Sequence, residues 1–271
     1  MNHLAEALMR DGKADDCPII DMHGHWGPFA AIHMPAVQTE TAYDLLERSG
    51  IRLLVFCHHS ALLCPDIGNR ANIDAVRDCP DRLRAYCGLN PNYPKVIRKD
   101  VDAYSEYPDV YAGFKMLSDY HKIAINDDAY TPAWEYADSH QLPVLLHTWN
   151  GSTCCNAELI SWAAETYPSA NILMGHSLHE DWESAGHLAR DYPNVYAELT
   201  AVLDSRGGVE CLMEMAGSRK VVFGTDFPWF SYPYYIGALI GSGANEDELR
   251  DILYRNAQKL LNISNERLSN R

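Results

Sequence analysis

Eight short apolar runs, each followed by a helical stretch, constrain this chain more than any other feature. They are PIIDMHGH (18–25), RLLVFCHH (52–59), LRAYCGLN (83–90), VYAGFKML (110–117), LPVLLHT (142–148), NILMGHS (171–177), NVYAELT (194–200) and VVFGTDF (221–227). Their starts lie roughly 23 to 34 residues apart, the length of one strand plus one returning helix. Such runs suit strands buried on both faces, as in a parallel sheet covered by helices. Helix signals fill the intervals. TETAYDLLERSG carries Thr39 as a cap and Gly50 as a stop, and comparable segments follow the later runs. Pro80, Pro108, Pro168 and Pro193 stand just past helix ends, where proline halts a helix. Eight units predict closure into an α/β barrel of the (β/α)8 TIM type. An open doubly wound sheet is the alternative, but it would more often carry a glycine-rich phosphate loop after its first strand, and none is present.

The length of 271 residues fits one such domain, 1–271, with a short N-terminal helical extension, 1–17. In that extension Leu4, Leu8 and Met9 are expected on one apolar face. Apolar residues make up 47% of the chain, enough for a large core. The formal charge of −15 argues against nucleic acid and anionic lipid as partners, since both demand clustered Lys and Arg. No apolar run reaches the roughly 20 residues of a membrane span, and no secretory signal is visible. The eight cysteines show no CxxC spacing and read as buried thiols of a cytoplasmic protein. Cys154-Cys155 are too close to pair with each other without strain.

Chemistry gathers at one end of the runs. Residues i, i+2 and i+4 of a strand point the same way, so Asp21, His23 and His25 are expected on one face of the first. The second run closes with His58-His59, the fourth carries Lys115, the fifth closes with His147, the sixth with His176 and the eighth with Asp226. Carboxyl ends of strands are where barrels of this type keep their active sites. His23, His25, His147 and Asp226 form a three-histidine, one-carboxylate set that suits one divalent ion, Zn2+ first and Mn2+ second. His176 reads either as support for a ligand or as the catalytic group facing a metal-bound water, and the catalytic role is preferred. Lys115 reads as a substrate-binding cation, a carboxylated bridge to a second metal, or an ordinary ion-paired lysine. Trp26, His58, His59, His121 and Trp149 are expected around the mouth, with Trp26, His58 and Trp149 touching substrate. Glu198 reads equally as a ligand-supporting carboxylate or a plain polar core residue.

These motifs resemble the amidohydrolase superfamily, and within it the amidohydrolase-related branch that holds metal-dependent hydrolases and non-oxidative decarboxylases. IIDMHGH resembles the HxH of its first strand, PVLLHT its strand-five histidine, NILMGHS its strand-six GH element, and VVFGTDFPW its strand-eight GTD-P element. The closing LYRNAQKLLN resembles its final helix. The resemblance implies one metal on His23, His25, His147 and Asp226, with Asp226 shuttling a proton and His176 polarising water or substrate. It implies an uncarboxylated Lys115, since a single metal is usual in this branch, and a homodimer, which its members often form.

Two reactions fit that shell. A metal-activated water could hydrolyse a small amide, lactone or ester, with the metal and His176 stabilising the oxyanion. Alternatively the metal could grip an aromatic or enoic acid that loses CO2 as its carbon is protonated. No arginine stands in a strand-end motif to face such an acid, which favours hydrolysis. A non-catalytic binding barrel is the third reading, and the complete ligand set argues against it. The loops 26–38, 58–68, 117–130 and 149–156 are rich in aromatics and histidine and predict a small, partly aromatic pocket.

Overall fold

The computed structural model describes residues 2–29, 31–34, 39–264 and 268. Residues 30 and 35–38, within the expected pocket loop 26–38, lie outside them. The eight runs form eight strands: β1 Ile19–Trp26, β2 Ile51–His58, β3 Leu83–Leu89, β4 Tyr111–Met116, β5 Pro143–His147, β6 Asn171–Gly175, β7 Val195–Glu198 and β8 Val221–Val222. They pair in sequence order, and every ladder from β1–β2 to β7–β8 is parallel. The sheet curls back on itself, because Met22 N–H donates to Phe223 O (2.9 Å) and Asp226 N–H to His23 O (2.7 Å). The chain is a (β/α)8 barrel, as its strand count predicts.

The two-residue period sorts each strand into a lumen row and an outer row. Leu53, Val55 and Cys57 of β2, Leu145 of β5, Leu173 of β6 and Val222 of β8 join Tyr86 and Tyr196 in the lumen. Leu54, Phe56, Val144, Leu146, Ile172 and Met174 face the helices instead. Each fully buried aliphatic side chain contributes roughly 1.5–3 kcal/mol, so this alternation fixes the register at every strand end. The N-terminal helix His3–Asp11 packs on helices Tyr232–Gly241 and Glu246–Arg250. Its buried residues are Leu4, Ala5 and Leu8. Met9 is 58% exposed, and Ala5, three residues before Leu8 and so beside it on the helix face, takes the place expected for Met9. Gly12 ends that helix at φ +74°, the left-handed cap glycine adopts freely. Helix Thr39–Arg48 begins at Thr39 itself, and Gly50 follows it at φ +67°.

All eight cysteines are free thiols. Among the described residues no helix is long and apolar enough to cross a membrane.

Candidate metal centre

β1 is not a regular strand. Its register against β2 shifts between Asp21 and Gly24. Ile20 and Met22 lie in the lumen, and the irregularity lets His23 turn inward as well. Asp21 therefore does not share a face with His23 and His25, as strict alternation predicts. It accepts the backbone N–H of His23 (2.9 Å) and the hydroxyl of Thr225 (2.6 Å), tying β1 to the segment after β8. Burial pushes its carboxyl up to about 7, against the pull of those hydrogen bonds.

Each histidine of the first strand is held through Nδ1. His25 Nδ1 lies 3.0 Å from the Cys57 carbonyl oxygen. A carbonyl only accepts, so Nδ1 carries the proton and Nε2 presents its lone pair. His23 Nδ1 lies 2.8 Å from Glu198 Oε2. Glu198 also accepts from the Thr200 N–H and hydroxyl (both 2.7 Å) and from the His176 N–H (3.2 Å). Burial raises the Glu198 carboxyl to about 7 while these donors pull it down. Room for it comes from Gly224, where a Cβ would lie 1.9 Å from Glu198 Oε1.

The Nε2 atoms of both rings converge on Asp226. Asp226 Oδ1 lies 2.9 Å from His25 Nε2 and 3.3 Å from His23 Nε2, and it has no hydrogen-bond partner. Asp226 sits at φ +58°, a left-handed conformation that aspartate tolerates better than most residues. Burial raises its carboxyl, but the facing His23 and His25 outweigh that and hold it well below the ordinary range. Burial first, and then Lys115, hold His23 well below its ordinary pKa. Three acceptor atoms thus meet within 4.8 Å of one another in a buried place where polarity without a counter-charge is costly. Two imidazoles and a carboxylate are a donor set for a divalent cation.

The neighbours complete a cup. His176 follows β6, where strand parity would send it outward. It sits at φ +69°, followed by Ser177 at +45° and Leu178 at +57°. That run of sparsely populated backbone angles is strain of the kind found at functional sites. It turns the His176 ring inward, 5.1 Å from the His23 ring and 4.7 Å from the His147 ring. Burial, then the neighbouring histidines, hold His176 and His147 well below the ordinary imidazole range. His147 stands beside the three-residue cluster rather than within it. Its Nδ1 is unpartnered and 3.9 Å from Asp119 Oδ2, itself unpartnered. Lys115 lies beneath, fully buried, with Nζ 2.8 Å from His23 Nε2. Burial lowers its pKa to about 8.

Of the residues expected to touch substrate, Trp149 is 39% exposed. It lines a cavity of about 370 Å³ with Asp119, Tyr120, His147, Asn150, Gly151 and Ser152. Lys115 is below the cluster, not at the mouth. Trp26 is buried among Tyr43, Phe56 and Phe227, because the parity that turns His25 inward turns its neighbour toward the helices. His58 caps the short helix His59–Leu63: its Nδ1 accepts from the Ser60 N–H (3.2 Å) and lies 2.7 Å from the Ser60 hydroxyl. His59 faces the site instead, stacked on His25 at 4.9 Å. Its Nδ1 donates to Gly27 O (2.7 Å) and its Nε2 accepts from Trp229 Nε1 (3.0 Å). His121 lies 2.6 Å from Leu62 O through Nε2 and ties the short helices Ser118–His121 and His59–Leu63 together. Asp119, in the one-turn helix Ser118–His121, and Trp229, in the turn after β8, are not marked by the sequence, because neither segment is long enough for a period to give a direction. Glu198 left a signal, a carboxylate at lumen parity in VYAELT.

A family model described as Amidohydrolase matches residues 20–263. No curated protein matches the chain. Among solved structures, 2,6-dihydroxybenzoate decarboxylase from Rhizobium aligns over 91% of this chain and 99% of its own, at TM-score 0.72 and 13% identity. 5-Carboxyvanillate decarboxylase from Sphingomonas paucimobilis aligns over 92% and 100%, at TM-score 0.68 and 12% identity. Dihydroxybenzoic acid decarboxylase from Polaromonas sp. JS666, with bound manganese and the inhibitor 2-nitroresorcinol, aligns over 93% and 99%, at TM-score 0.72 and 14% identity. At such identities the likeness is one of fold.

Proposed function

The chain belongs to the amidohydrolase family, and from that premise we propose that it is a metal-dependent, non-oxidative decarboxylase of a small hydroxylated aromatic acid. The observation that carries the reading is one juxtaposition. The buried acceptors of His23, His25 and Asp226 meet at the barrel mouth, next to a cavity walled by Tyr120, His147 and Trp149. Aromatic walls suit a flat ring, and a converging acceptor set suits the cation that a carboxylate needs. The decarboxylases of similar fold support it. The sequence argument for hydrolysis was the lack of an arginine facing an acid; a divalent ion can supply that positive charge.

His23, His25, His147 and Asp226 would hold one divalent ion. Manganese is the first candidate, because the Polaromonas enzyme binds it, and zinc the second. When bound, such an ion neutralises the substrate carboxylate and a neighbouring oxygen. Tyr120 and Trp149 hold the ring. His176 turns its unpartnered Nδ1 toward a substrate oxygen. Asp226, kept ionised, takes the phenolic proton and delivers it to the ring carbon. The bond from that carbon to the carboxylate breaks, CO2 leaves, and water returns a proton to the phenolate. The net change is loss of CO2 and gain of one proton at carbon.

Hydroxybenzoates assayed for CO2 release, beside lactones and N-acyl compounds assayed for acid release, test the reaction. We expect CO2 from a hydroxybenzoate, lost on chelation and restored by Mn2+ or Zn2+. Acid release from the second set alone would replace decarboxylation by hydrolysis on the same residues.

A further inference from the structure

We infer that Lys115 is a built-in competitor for the metal, holding the His23 lone pair that a bound ion must take. The inference rests on the reading of His23 as a ligand and deepens it. His23 has two ring nitrogens and both are claimed. Nδ1 is engaged by Glu198 at 2.8 Å, and Glu198 is placed as an acceptor, taking the N–H and hydroxyl of Thr200 and the N–H of His176, so Nδ1 is the nitrogen that donates. That leaves Nε2 with a single in-plane lone pair. Two groups compete for it: the Lys115 amine, 2.8 Å away, and whatever cation sits between Nε2 and Asp226 Oδ1, 3.3 Å away on the other side. One lone pair accepts a hydrogen bond or binds a cation, not both.

Lys115 cannot simply drift aside into water. Its side chain is fully buried, with the residue 1% exposed. Its strand places it at lumen parity, between Phe114 and Met116 on the outer row. Among the described residues, His23 Nε2 is its one hydrogen-bond partner. Displacing it therefore costs a buried hydrogen bond each time a metal binds. An N–H donor fills the lone pair whether or not the amine is protonated, so the competition does not depend on a titration. A lysine so placed lowers the affinity of the site and supplies the metal-free barrel with an internal partner for a histidine that would otherwise be left unsatisfied.

The test compares wild type with Lys115→Met, which keeps the length of the stem and removes the donor. Mn2+ and Zn2+ affinities are measured by competition with a chromophoric chelator, without substrate. We expect the variant to bind about tenfold more tightly, the worth of one hydrogen bond of this kind. Equal or weaker binding by a folded variant overturns the inference. Should the variant fail to fold, long-range 1H–15N spectra of the His23 ring in the wild-type protein decide. Nε2 must show the shift of a hydrogen-bonded acceptor without metal and lose it on loading, and a free Nε2 in the metal-free protein overturns the inference. Absence of metal binding in both proteins would instead remove the metal reading itself, whatever Lys115 does. Decarboxylation is not needed for any of these outcomes.

Discussion

Two pairs of histidines stand at neighbouring strand ends and meet different fates. His23 and His25 are separated by one residue, and both turn into the barrel mouth with their Nε2 atoms within 3.3 Å of the same carboxylate oxygen. His58 and His59 are adjacent, and the chain divides them. His58 becomes the cap of a helix, while His59 stacks on His25. Residue type is the same in all four. Spacing decides, because a strand sends alternate residues to one side and neighbours to opposite sides. A pair meant to act together is written with a gap.

That contrast can be broken in order of expected effect. Replacing His25 by Ala should cost more than about 100-fold in metal affinity, above the 10- to 100-fold typical of an outer partner. Elemental analysis of protein purified without added metal measures it; a full equivalent of metal would dissociate the pair from the ion. Glu198→Gln should weaken metal binding by about 10- to 100-fold while far-UV circular dichroism stays unchanged, since the amide cannot hold His23 as the carboxylate does. His59→Ala should weaken it by about tenfold or less, through a looser His25 ring; an effect as large as that of His25→Ala would make His59 a ligand. His58→Ala should leave metal binding alone and cost about 1 kcal/mol of stability, the ordinary worth of a helix cap, read from thermal or urea unfolding. If His58→Ala abolished metal binding while His59→Ala did not, spacing would not be the rule that sorts them.

Much of this was legible in the residues. The eight runs fall within a residue or two of the eight strands, except at β8, whose ladder covers only Val221–Val222. Continuous apolar runs announce burial on both faces, and that is what a barrel strand experiences. Trp26 is expected at the substrate but lies among Tyr43, Phe56 and Phe227, since the parity that points His25 inward points Trp26 out. The direction of Asp21 was not legible. Alternation assumes a regular strand, and the register shift after Asp21 arises from pairing with β2 and β8, which no local period encodes. His176 had a similar history: its motif marks it, yet only the positive φ angles after β6 bring it inward. The contacts of Lys115 with His23 and of Glu198 with His23 join strands far apart in sequence. Their chemistry was visible as titratable residues in apolar runs; their partners were not.

The seam that closes the barrel has a consequence for how the protein is made. The Asp226 N–H holds the His23 carbonyl, and the same aspartate supplies the carboxylate that faces both histidines. A folding chain brings its histidine pair against that carboxylate only when the segment after the last strand closes on the first. Until then it has no carboxylate at that point and no closed wall behind it. The three acceptors therefore meet only in the closed barrel, and one contact completes both the fold and the proposed metal site.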